Sequence, residues 1–160
     1  MPLSDTTWVT LHEDLEFASP ILQRMLELWQ SKRRGDALPR RVDFSLEELG
    51  PHFGWIVLVD VERDPQRFRY RLIGTEIVEL AGRDVTGRYF DELYAVDVAE
   101  TATMSYRRVV SIGGPTRVSA SLYHASRGHL TFEAVDLPLA SDGRTVDMIM
   151  VRSVYDLVNR

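Results

Sequence analysis

The sequence has no cysteine. That absence removes disulfide frameworks, cysteine-ligated zinc and iron–sulfur sites, and every thiol nucleophile. It also removes the adduct-forming flavin and the thioester chromophore, both of which need a cysteine. Histidine is scarce as well: there are four, and none pairs with a carboxylate at a metal-ligand spacing. HExxH, GxSxG and kinase signatures are missing, so a catalytic role is not expected. No run approaches the ~18 apolar residues that span a bilayer. Met1-Pro2-Leu3-Ser4-Asp5 lacks the basic and apolar regions of a signal peptide. The expectation is a cytoplasmic chain with no membrane partner. Basic charge is also short, with 19 Lys and Arg against 24 Asp and Glu and a net charge of −5, which argues against a nucleic-acid partner. Repeats and low-complexity tracts do not occur.

What is present fits one compact unit: 160 residues, 44% of them hydrophobic. Residues 1–18 read as an N-terminal arm and 19–160 as a single domain. Its first helix, 20–34, has Ser19 as N-cap, Pro20 at the first helical position, and Gly35 beyond its end. Ile21, Leu22, Met25, Leu26, Leu28 and Trp29 form its apolar stripe. Lys32, Arg33 and Arg34 are placed in its last turn, where cations complement the helix dipole. Ser45 with Glu48 forms a capping box for a short second helix.

The period then changes. Trp55 to Glu62 and Arg67 to Ile73 alternate as strands around the Asp64-Pro65-Gln66 turn. Thr75 caps a short helix ending near Gly82, and Asp97 with Glu100 caps a longer one ending at Gly113-Gly114-Pro115. Strands follow at Arg117 to Ala125, Leu130 to Leu139 and Thr145 to Val154, with turns at Ser126-Arg127-Gly128 and Asp142-Gly143. The expected fold is α+β. Five antiparallel strands carry helices on one face, and the amphipathic helix 20–34 covers the other.

This chain resembles the family of small, stand-alone PAS-like proteins of proteobacteria. The resemblance is carried by Leu28-Trp29 with Arg34-Gly35, Leu38-Pro39-Arg40-Arg41 and Phe44, then the block Arg67 to Ile77, Gly82 to Gly87, and Leu137-Pro138-Leu139. It implies a PAS fold and a sensory or regulatory role, with output in trans because no output domain follows. It transfers no catalytic residues.

Candidate pocket residues come from the strand and helix faces: Tyr70, Leu72, Ile77, Tyr89, Phe90, Tyr94, Tyr106, Phe132, Met148 and Met150. Aromatic residues with polar tips suit an apolar pocket, though for any one of them an ordinary core position is the commoner role. No cofactor is expected. Haem through His124 or His129 is disfavoured because both flank a turn, and a non-covalent small molecule, flavin included, stays open. Arg67, Arg69 and Arg71 share a strand face, read as solvated with an anionic ligand as the alternative. Gly82 to Gly87 followed by Arg88 and Tyr89 lacks the Lys and the hydroxyl of a phosphate-binding loop. The leading function is a sensory module that binds a small apolar metabolite, a protein partner, or both. A homodimer or partner contact through helix 20–34 is expected. The alternatives are a ligand-free dimerisation domain and, less favoured, a small enzyme using Asp84 or Asp91.

Overall fold

The computed structural model describes residues 8–124 and 128–158. Among these, six strands form one antiparallel sheet: β1 (Trp8–His12), β2 (Ile56–Glu62), β3 (Arg67–Ile73), β4 (Thr116–His124), β5 (Gly128–Leu139) and β6 (Met148–Val158), in the order β1-β4-β5-β6-β2-β3. The helices are α1 (Pro20–Ser31), α2 (Leu46–Leu49), α3 (Thr75–Ala81), α4 (Phe90–Leu93), α5 (Val96–Ala102) and α6 (Met104–Ile112). The α+β reading holds, with one strand more than expected. The additional strand is β1, inside the segment read as an arm, where Trp8 to His12 pair with Arg117 to Ser121. Its short, mixed sequence carries little periodic signal, and the open edge of β4 supplies the order.

The alternation of β5 divides the molecule into two layers. On one side Glu133, Val135 and Leu137 face α1, whose Leu22, Met25, Leu26 and Trp29 are all nearly fully buried. Trp29 Nε1 donates to the Pro138 carbonyl at 2.8 Å. Ser19 is the N-cap of α1 as expected, but its side chain makes no capping bond. Glu133 on the sheet does that work instead, accepting from the backbone N–H of Ala18 at 3.1 Å and Ser19 at 3.0 Å. A carboxylate from β5 thus satisfies donors at the helix start and favours its dipole. On the other side Phe132, Ala134 and Asp136 face α3 to α6.

Several local readings are corrected. Helix α1 ends at Ser31, so Lys32, Arg33 and Arg34 lie beyond its last turn. Bonds from Lys32 to Trp29 and from Arg33 to Gln30 tighten the exit. The helix expected from Asp97 to Gly113 is two helices. Thr103 bonds the Ala99 carbonyl through Oγ1 at 2.7 Å, a side-chain competition that bends helices. The N-cap of α3 is Gly74 rather than Thr75. The Asp142-Gly143 turn does not close a tight hairpin: residues 140–147 connect β5 to β6, with Val146 buried and Leu38 N–H bonded to the Gly143 carbonyl. Ala125, the expected end of a strand, and Ser126 and Arg127 of the expected Ser126-Arg127-Gly128 turn lie outside the described residues, as do the side chains of His124 and His129, while Gly128 opens β5. The Ser45–Glu48 capping box forms as expected, with bonds of 3.1 and 2.9 Å.

Candidate functional site

Between the helix-facing side of the sheet and helices α3 to α6 lies a cavity of about 130 Å³. Its sheet wall comes from Val57, Ala120, Phe132, Ala134, Asp136, Val151, Ser153 and Tyr155, with Tyr70 and Ile73 from β3. The helices add Ile77, Phe90, Ala102, Ser105 and Tyr106, Tyr94 follows directly after α4, and the exposed residues Arg83 and Thr101 also line it.

Packing among the rings fixes the wall. Tyr70 stacks on Phe90 at 4.1 Å between centroids, and Tyr106 meets Phe90 edge-on at 5.7 Å. Phe132 and Tyr155 pair at 5.2 Å. Such offset and edge arrangements are the favourable ones for aromatic quadrupoles. The Tyr70 and Tyr94 hydroxyls bond each other at 3.1 Å. Burial pushes the hydroxyls of Tyr70, Tyr94, Tyr106 and Tyr155 up from the usual phenolic range, so all stay neutral at physiological pH.

One charged group belongs to this interior. Asp136 is 1% exposed. Thr116 Oγ1 donates to it at 2.9 Å, and the Ser105 hydroxyl bonds it as well. Burial raises its carboxyl to about 6 despite the lowering effect of those two donors. Among the described residues it joins no ion pair, and no three His, Asp or Glu side chains converge as a metal site would.

Six candidate pocket residues line the cavity: Tyr70, Ile77, Phe90, Tyr94, Tyr106 and Phe132. Four do not, for identifiable reasons. Arg71 is an extra residue in β3, since Leu72 pairs with Leu58 while Tyr70 pairs with Val59. This bulge resets the alternation, so that Ile73 rather than Leu72 reaches the cavity. Met148 and Met150 lie on the α1 side of β6, because Ile149 and Val151 pair with Val59 and Val57 of the cavity side. Tyr89 lies outside: Arg67 stacks over its ring at 3.7 Å, and its hydroxyl donates to Glu62 at 2.5 Å. Asp136 and Ser105 were missed, although each sits at a position the pattern identifies: Asp136 shares its face with Phe132, and Ser105 precedes Tyr106.

The other charged candidates are held at the surface. Arg67 forms a two-pronged bond to Asp91, both contacts at 2.7 Å, and Arg69 pairs with Asp60 at 2.8 Å. Asp84 accepts from the Thr86 N–H and hydroxyl, a turn role. Neither Asp84 nor Asp91 lines the cavity.

Among the described residues, no helix is long and apolar enough to cross a membrane. No curated protein matches the chain. One solved structure similar to it is described as an RNA-binding light-oxygen-voltage receptor, at 13% identity and a TM-score of 0.44. The similarity covers 95% of this chain and 39% of that one, so the chain spans well under half its length. A family model for the PAS domain matches residues 17–151, which take in every helix, strands β2 to β5 whole and the start of β6. The chain belongs to the PAS domain family.

Proposed function

We propose that this PAS domain is a sensory module whose cavity takes a small molecule, and that occupancy alters a contact with another protein or a second copy of the chain. The observation that carries the reading is the cavity itself, lined by six aromatic rings with a buried acid in its wall. Its volume of about 130 Å³ suits a single ring or a short chain, since a dry cavity of about 150 Å³ takes benzene. It is smaller than the roughly 300–1,000 Å³ of pockets for larger ligands, the range a flavin would need.

Signalling follows from differential affinity. A ligand shifts only those equilibria whose two states it binds differently. The short helices α4 and α5 and the break at Thr103 form the part of the wall with least regular structure, and ligand contacts there bias how the wall packs. The apolar stripe of α1 is committed to the sheet, so a partner meeting this helix meets its polar outer side.

Native mass spectrometry on protein gently purified from its own host tests the reading, with Ala134→Leu as the cavity-filling control. A bound mass on the wild-type chain that is lost in the variant is the expected result. The same mass retained by both would place binding elsewhere and overturn the reading.

A further inference from the structure

Asp136 is a carboxylate set in an aromatic wall, and among the described residues no cation pairs with it. Two of its acceptor positions are taken by the Ser105 and Thr116 hydroxyls, and an ionised carboxylate offers about four. Among the described residues, two charged side chains line the cavity, Asp136 and Arg83, and Arg83 is exposed. The groups shown against the acid are uncharged: Ser105 and Tyr106 from α6 and Thr116 from β4. A buried carboxylate is costly unless it is paired and hydrogen-bonded. A donor that is itself cationic supplies both the missing hydrogen bonds and the missing charge. The rings of Tyr70, Phe90, Tyr106 and Phe132 add negative faces that attract a cation held among them.

We propose that the cavity's ligand is a small organic ammonium, one ring or a short chain in size, whose charged nitrogen is held by Asp136 among the aromatic rings. This rests on the reading of the cavity as a ligand site. The apolar part of the ligand fills the space between Phe132, Ala134 and Ile77, and the ammonium donates to the free acceptor positions of the acid. A neutral hydrogen-bond donor fills the same volume but leaves the charge uncompensated, and a carboxylate meets like charge. Protonation of Asp136 below about pH 6 removes the acceptor charge, so affinity for the ammonium falls on acidification while affinity for a neutral isostere does not.

Calorimetric titration with benzylamine, benzyl alcohol and benzoate at pH 7.5 and pH 5 tests this on wild type, Asp136→Asn and Ala134→Leu. The expected result is benzylamine binding at least roughly tenfold tighter than the alcohol at pH 7.5, the value of one charge-assisted bond. That preference disappears in Asp136→Asn and shrinks at pH 5. Alcohol binding retained by Asp136→Asn shows that this variant keeps its fold and its cavity. If the alcohol or benzoate binds wild type as tightly as benzylamine, or Asp136→Asn keeps the preference, the ammonium assignment is overturned while the ligand-site reading survives. If none of the three binds, or Ala134→Leu binds them as wild type does, both are overturned.

Discussion

Asp136 makes stability depend on pH in a direction opposite to the other perturbed carboxylates. Its folded-state carboxyl sits at about 6 against an ordinary value of 3.8. The folded chain therefore holds this proton more tightly than the unfolded chain does. The stabilising contribution is fully present below about pH 4 and is lost as pH rises through 6. Roughly two pKa units at 1.36 kcal/mol each give about 3 kcal/mol. Asp14, Asp43, Glu48 and Glu133 are shifted downward by their partners, so their contributions are lost on acidification, which masks the effect in wild type alone. Asp136→Asn isolates it. The carboxamide is nearly isosteric, can keep both hydroxyl partners by accepting through its oxygen and donating through its nitrogen, and does not titrate. Urea denaturation of both proteins at half-unit steps from pH 4 to pH 7.5 gives the stability difference, in which the other groups cancel. Relative to wild type, the Asn variant should gain about 3 kcal/mol across that range, most of it between pH 5 and 7. A difference that stays flat with pH, or that moves the other way, would refute the account of Asp136 as an uncompensated buried acid.

Backbone contacts predict a sharp contrast between two glycines. A Cβ on Gly74 would sit 2.3 Å from the Gly54 carbonyl oxygen, whereas one on Gly54 would meet the Glu76 Cγ at 2.6 Å. Main chain cannot yield but a glutamate side chain can, so Gly74→Ala should cost several kcal/mol and Gly54→Ala about 1 kcal/mol or less, measured by urea denaturation; equal costs would show that the 50–55 segment does not pack on the start of α3 as described. Trp29→Phe removes the donor to the buried Pro138 carbonyl as well as ring volume. Its expected cost is about 2–4 kcal/mol, with the cavity's ligand affinity unchanged because α1 lies on the opposite face of the sheet; a change in affinity comparable to the stability loss would contradict that separation of layers.

Much of the fold was legible because hydrophobic period and turn chemistry agree along most of the chain. Strand β3 begins and ends where the alternation of Arg67 to Ile73 places it, and the stripe of α1 is buried as its spacing requires. Six candidate residues, five of them aromatic and the sixth Ile77, line the cavity. Leu72 failed because a bulge moves one residue out of register, and no residue type in Arg69-Tyr70-Arg71-Leu72 announces it. Met148 and Met150 failed because β6 is apolar on both faces, so alternation separates the faces without saying which one meets the cavity. Strand β1 depends on a pairing partner more than a hundred residues away, which local pattern does not encode. Asp136 was accessible to the same logic that selected Phe132. A charged residue within the apolar run Ala134 to Leu139, on the parity already assigned to the pocket, marks either a buried acid or a break in the strand, and β5 does not break there.

The central claim is that open space exists between the sheet and helices α3 to α6. Xenon tests it without knowledge of the natural ligand, since it enters dry apolar cavities of this size. Methyl carbon shifts recorded under xenon pressure should move at Val57, Ile77, Ala120, Ala134 and Val151, which line the cavity, and stay still at Leu22 and Leu26, which pack beneath α1. Still cavity methyls, or shifts spread equally through both layers, would contradict the account.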